Sequence, residues 1–250
     1  MTVTTTEAQL WIRRFHQSPA DAPRLVCLPH AGGSASYYFP FSAALQPGVQ
    51  VLAVQYPGRQ DRRSDPCPAT VSEYAEAICR ALEEVPDLGE FALFGHSMGA
   101  VIGFEVTRLM EQRLGNSPVR LFASGRRAPS RVRGERAHTL DDDGLVRELT
   151  TLDGTDSRLL DDPEMRELLL PMIRSDYRTV ETYRCEPGAA VACPVTVLTG
   201  DVDPRTTAEE ARDWKVHTSA DCDVQEFSGG HFFLNDHQKE IADLVTETLR

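Results

Sequence analysis

The sequence predicts an α/β fold in which a mostly parallel central sheet is flanked by helices and carries a helical lid insertion. Three observations predict it. Short apolar runs ending at Gly or Pro recur along the chain. Longer stretches with helical apolar spacing lie between them. One long stretch holds helical patterns and no convincing strand. Strand and helix in alternation are the signature of a parallel sheet covered by helices.

The strands are expected at Arg24 to Pro29, Val49 to Pro57, Phe91 to Gly95, Val119 to Gly125, Pro194 to Gly200 and Cys222 to Gly230. They are rich in Val, Leu and Phe, as parallel strands buried on both faces are. Helices are expected at Val71 to Val85, Ser97 to Leu114 and Phe232 to Leu249. Between Pro129 and Pro187 only helical patterns occur, among them Leu145 to Leu152 and Pro163 to Tyr183. The chain therefore divides into a first core part (1–128), a lid (129–187) and a second core part (188–250). No internal repeat or low-complexity segment interrupts it.

A chain of 250 residues suits one domain, or one domain with an inserted subdomain. It is long enough to bury a core without metals or disulfides. A net charge of -12 argues against a general affinity for nucleic acid. No run of about 18 apolar residues is present, so no membrane span is expected. MTVTTTEAQLWIRRF lacks the basic start and apolar stretch of a secretory signal. The cysteines Cys27, Cys67, Cys79, Cys185, Cys193 and Cys222 form no CxxC pair and match no zinc spacing. They read as reduced, structural thiols of a cytoplasmic protein, and no metal or organic cofactor is expected.

Gly95-His96-Ser97-Met98-Gly99 fits G-x-S-x-G, preceded by the strand FALF and followed by the helical AVIGFEVTRLM. That is the strand–turn–helix setting of a nucleophile elbow, and it predicts an α/β-hydrolase fold with Ser97 as nucleophile. The helix N-terminus beside it offers backbone N–H groups to a developing oxyanion. His30-Ala31-Gly32-Gly33-Ser34 follows the first strand and resembles the loop that supplies a second oxyanion donor. The histidine should follow Ser97 and an acid in the chain. His231, after a strand and Gly-Gly, meets this best; His217 and His237 read as solvated helix residues. The acid should lie in TGDVDP, where Asp203, held extended before Pro204, is preferred over Asp201, a solvated turn residue or N-cap.

The segments LPHAGGSASYY, QYPGRQDR, FALFGHSMGA, SGRRAP, LLLPMIRSDYRTVETYRCEPG, CPVTVLTGDVDP and FSGGHFFL make the chain similar to the stand-alone, type II thioesterases of polyketide and nonribosomal peptide synthesis. The resemblance runs from about residue 25 to the C-terminus. It implies a triad of Ser97, Asp203 and His231, with oxyanion donors from the backbones of Met98 and of Ala31 or Gly32. It implies as partner an acyl carrier protein or peptidyl carrier domain, whose phosphopantetheine arm bears the acyl substrate. Val202 departs from a loop that is often more acidic in relatives, without displacing Asp203.

Three other readings share parts of this pattern. A general carboxylesterase would use the same triad. A product-releasing domain cut from a megasynthase is disfavoured by the start at Met1 and the lack of a carrier region. A non-catalytic binding protein on this scaffold would be expected to lack a triad member. Within the lid, Leu168, Leu169, Leu170, Met172 and Ile173 form an apolar cluster. Leu169, Met172 and Ile173 are expected to line an acyl pocket, in a region that moves to admit the substrate. Arg126, Arg127, Arg131 and Arg133, in GRRAPSRVRGER, are expected either to pair with Asp141 to Asp143 or to steer an acidic carrier.

Overall fold

Within the apolar runs, neighbouring side chains pack into different cores. Leu25 and Cys27 join one cluster, Val26 and Leu28 the other. A strand covered on both faces must be apolar throughout. The computed structural model describes residues 6–86, 88–152 and 160–250. Residues 1–5 of the N-terminal stretch and 153–159 of the expected lid therefore lie outside the described residues.

The strands are β1 (Ile12–Arg13), β2 (Arg24–Leu28), β3 (Gln50–Val54), β4 (Phe91–His96), β5 (Leu121–Ser124), β6 (Val195–Gly200) and β7 (Cys222–Phe227). They form one sheet in the order β1-β3-β2-β4-β5-β6-β7. β1 runs antiparallel to β3, and every other pair is parallel. The six expected strands are thus present. β1 was not expected: two residues give no readable period. β7 is the edge strand, and its Gln225 and Glu226 are exposed, so two-sided burial fails there.

The helices are α1 (Glu7–Trp11), α2 (Phe39–Ala44), α3 (Val71–Glu83), α4 (Met98–Leu114), α5 (Asp142–Leu152), α6 (Pro163–Thr182), α7 (Ala208–Arg212) and α8 (Gln238–Thr248). Thr70 caps α3 by accepting the Glu73 N–H at 3.1 Å. The inward face of α3 (Tyr74, Ala75, Ile78, Leu82) then packs with Ile102 and Phe104 of α4 on one side of the sheet. Phe41 of α2 and Ile241 and Val245 of α8 cover the other side. Burying one such Leu, Ile or Phe contributes about 1.5–3 kcal/mol. The C-terminal helix begins later than expected, after a short 3-10 turn, with His237 at its N-cap. α1, α2 and α7 are too short for apolar spacing to reveal. All six cysteines are free.

In the lid, Leu145 and Leu149 of α5 meet Leu170, Ile173 and Tyr177 of α6 in a third apolar cluster. Asp162 caps α6 by accepting from Glu164 and Met165. Two ion pairs tie the helices together: Arg166–Asp143 at 3.0 Å and Arg174–Asp142 at 2.6 Å. Asp142 and Asp143 are therefore held by α6, not by the arginine segment before them, and Asp141 accepts the Gly144 N–H.

Candidate active site

A parallel sheet delivers its strand ends to one edge, where open α/β folds place their sites. Ser97 follows β4 directly, with φ 55° and ψ -113°. Such a backbone is strained for a side-chain-bearing residue, at a cost of order 1–3 kcal/mol. The flanking glycines make it possible. A Cβ at Gly95 would collide with the Gly99 carbonyl, and one at Gly99 with the Leu28 carbonyl. The Ser97 N–H donates to Ser124 O at 2.8 Å, which ties the turn to the end of β5.

His231 follows β7, and Asp203 follows β6. His231 Nε2 lies 3.0 Å from Ser97 Oγ. Its Nδ1 lies 3.0 and 3.1 Å from the two oxygens of Asp203. His231 is 4% exposed and Asp203 6%, so this pair is buried, while Ser97 is half-buried. Asp203 also accepts the Arg205 N–H at 2.8 Å, which fixes the carboxylate. Asp201 is exposed, as expected of a turn residue, and accepts the Gly229 N–H at 2.8 Å. It thereby joins the loop of Asp203 to the loop of His231.

The loop after β2 borders the same site. Gly32 has φ +78°, and its N–H donates to Asp176 of α6 at 2.8 Å. Among the described residues, the N–H groups of Ala31 and Met98 have no acceptor. Of the two loop amides expected as oxyanion donors, Ala31 is thus the one left free. Beside it His30 is buried against Tyr37, Phe232 and His96. Burial, with His231 and Arg59 nearby, pulls the His30 imidazole down to about 3. It is neutral at physiological pH.

Sequence reasoning misplaced His217. The polar string RDWKVH hides a 3-10 turn that turns Trp214 and His217 inward. His217 is 3% exposed, with Nδ1 2.8 Å from Ala189 O and Nε2 2.8 Å from Ser130 Oγ. It is a structural crosslink far from Ser97 in role. His237 lies at the surface beside Glu240, as expected.

Ser97, His231 and Ala31 line an open cavity whose empty space, counted together with the solvent at its entrance, is about 550 Å³. Its apolar wall is Leu149 and Leu152 of α5 and Tyr177 and Val180 of α6. The lid does line the cavity, but not through the residues expected. Leu169, Met172 and Ile173 are absent from the lining. Ile173 packs on Gly32 and Met172 on Gly58, because that stripe of α6 faces the loops of the core. The missed residues had a signal: Leu145, Leu149 and Leu152 in one helix, Tyr177 and Val180 in the other, each at helical spacing.

A thioesterase domain family model matches residues 23–249. The chain belongs to the thioesterase family. It is 50% identical over 243 residues to thioesterase PikA5 of Streptomyces venezuelae, covering 97% of this chain and 86% of that one. It is 48% identical to a probable cadicidin biosynthesis thioesterase of Streptomyces griseus, covering 99% of this chain and 68% of the relative. The type II thioesterase BorB from the borrelidin biosynthetic cluster superposes with a TM-score of 0.89 at 47% identity, covering 96% of this chain and 98% of that one. The protein is thus a thioester hydrolase of the α/β-hydrolase fold.

The arginines of the thioesterase divide into inner and outer members. Arg127 is 3% exposed and pairs with Glu135. Arg126 turns into the cavity that holds Ser97 and, among the described residues, pairs with no carboxylate. Burial pulls its guanidinium down to about 9, so it is charged at neutral pH. Arg127 is therefore buried away from any docking surface, whereas Arg126 is half-buried at the cavity. Arg131 and Arg133 stay at the surface, paired with Asp213 and Glu210 at 2.5 Å each. Arg133 also donates to Pro204 O at 2.9 Å, next to Asp203. Among the described residues, no cluster of three or more His, Cys, Asp or Glu is placed to hold a metal, and no helix is long and apolar enough to cross a membrane.

Proposed function

We propose that this thioesterase hydrolyses acyl groups from the phosphopantetheine arm of acyl or peptidyl carrier domains, freeing polyketide or nonribosomal peptide synthases stalled by a wrong acyl group. The setting is the cytoplasm, beside the synthase. The observation that carries this is the Ser97–His231–Asp203 chain of contacts opening into a lid-walled cavity. Similarity to thioesterases of biosynthetic clusters supports the substrate class.

The chemistry is double displacement. His231 Nε2 takes the Ser97 proton as Oγ attacks the thioester carbonyl. The oxyanion that forms is met by the N–H groups of Met98 and Ala31. Collapse breaks the C–S bond, and the imidazolium returns its proton to the leaving thiol. Water, activated by the same imidazole, then adds to the acyl-enzyme and releases the acid and Ser97. Asp203 holds the imidazole in the tautomer with Nδ1–H throughout.

The acyl chain occupies the space beneath α5 and α6, where apolar walls stand beside the charged side chains of Arg126, Glu135, Glu181 and Arg205. An oxygenated acyl group suits such a mixed wall better than a plain alkyl chain. Acid release from acetyl- or propionyl-carrier protein, measured beside hydrolysis of a simple nitrophenyl ester, tests the reading. Preference for the carrier substrate supports it. Faster turnover of the free ester, with no gain from the carrier, supports a general esterase instead.

A further inference from the structure

The catalytic chain of contacts leaves one buried ionic cluster unused. Asp176 lies within α6, and its side chain is fully buried. Its Oδ2 accepts the Gly32 N–H at 2.8 Å and Arg59 Nη1 at 2.9 Å. Its Oδ1 accepts Arg59 Nη2 at 3.0 Å and the Tyr74 hydroxyl at 2.9 Å. A carboxylate taken out of water is tolerated only when its lone pairs are filled, and these four donors fill them.

The cluster closes on the loop after β2. Arg59 Nη1 also donates to the Gly33 carbonyl at 2.9 Å. Asp176 and Arg59 thus hold an N–H and a C=O of adjacent residues, which fixes the tilt of the peptide planes there. The lid helix also rests on the loop by packing: a Cβ on Gly32 would lie 3.2 Å from Ile173 Cγ1. The neighbouring Ala31 N–H, free of any acceptor among the described residues, borders the cavity of Ser97. A change in the tilt at Gly32 would carry Ala31 with it, because the two share a peptide bond.

We propose that Asp176 is a positioning residue for the oxyanion hole, holding the Gly32 amide and, through Arg59, the Gly33 carbonyl so that the Ala31 N–H faces the reacting carbonyl. The inference rests on the serine-hydrolase reading above. Asp176 touches neither substrate nor Ser97; it acts through the loop. Because it belongs to α6, the seating of the lid and the readiness of the hole become one event. An α6 lifted from the loop releases Gly32.

Two inhibitors separate this role from a merely structural one. A trifluoromethyl ketone analogue of the acyl-pantetheine thioester becomes a tetrahedral oxyanion on Ser97 and needs the hole. The matching amide binds unreacted and does not. In Asp176→Asn, kcat should fall by about 100-fold, the loss typical of one oxyanion donor, with KM within about threefold. Affinity for the ketone should fall in parallel and affinity for the amide should hold. Tyr74→Phe removes one donor to Asp176 without touching the loop, so the same pattern should appear at roughly tenfold or less. Should Asp176→Asn fail to fold, Tyr74→Phe alone decides. Unchanged kcat and ketone affinity, or equal loss of ketone and amide, overturns the proposal. Ser97→Ala run alongside keeps the two readings apart. If it is inactive while the Asp176 and Tyr74 variants behave as wild type, only this inference fails. If it keeps wild-type turnover, the serine reading fails first and takes this inference with it.

Discussion

Asp203 places both carboxylate oxygens within 3.1 Å of His231 Nδ1, a contact no other acid of the chain makes among the described residues. Asp201, two residues earlier, reaches only the Gly229 backbone. Asp203→Asn should therefore lower kcat by about 10⁴-fold, since an amide favours the wrong imidazole tautomer. Asp201→Asn should cost less than about tenfold, because an amide oxygen still accepts from Gly229. Steady-state kinetics on one acyl-pantetheine thioester checks both, and the reverse ranking would reassign the acid.

Acid should weaken the fold through His30 and His96. Burial holds His30 down to about 3 and His96 well below its ordinary value. Unfolded, each imidazole binds a proton near pH 6.5. Protons then favour the unfolded chain. The stability is complete above about pH 6.5 and is lost as pH falls from there, for His30 until about 3. Each histidine contributes at most about 1.4 kcal/mol per pH unit across its window. Thermal melting followed from neutral to mildly acidic pH should show a steady fall. A flat profile would contradict the burial of neutral imidazoles.

An acyl chain seated against this cavity wall has its length limited by Leu149 and Leu152. Leu149→Trp should fill space beside Ser97, so turnover of long acyl groups should drop about tenfold or more while acetyl turnover is kept. Met172→Leu, away from the cavity, should leave the ratio unchanged. A length series of acyl-pantetheine thioesters measures it, and equal loss on all lengths would place Leu149 outside the acyl site.

The proposal that outer arginines dock an acidic carrier is tested at Arg131, which lies at the surface. Arg131→Glu should lower kcat/KM on carrier-bound substrate by about tenfold, raised salt should mimic it, and a small thioester should be unaffected. Arg133 is unsuitable for this test because it braces Pro204 beside Asp203. Equal loss on both substrates would mean that Arg131 serves only its partner Asp213.

What the sequence disclosed follows from how local each feature is. The elbow was legible because a strained serine needs Gly95 and Gly99 beside it, and that need is written within five residues. Asp203 was legible because Pro204 fixes its backbone. The lid was legible as helices, but α6 is apolar on more than one side. Tyr177 and Val180 face the cavity, while Met172 and Ile173 face the loops, and periodicity alone does not rank the two stripes. Asp176 was invisible for the same reason. It reads as part of a polar face, and its partner Arg59 lies 117 residues away. Arg127, 3% exposed, looked like surface charge because composition reports sign, not direction.

The central claim is that Ser97 carries the acyl group. Mass spectrometry of the intact protein, quenched during turnover of an acyl-pantetheine thioester, measures this directly. The account predicts an adduct of the acyl mass on Ser97 in the wild type. In Ser97→Ala it predicts no adduct and a rate lower by at least about 10⁴-fold, with the fold retained. Wild-type turnover by Ser97→Ala, or an adduct on another residue, would contradict it.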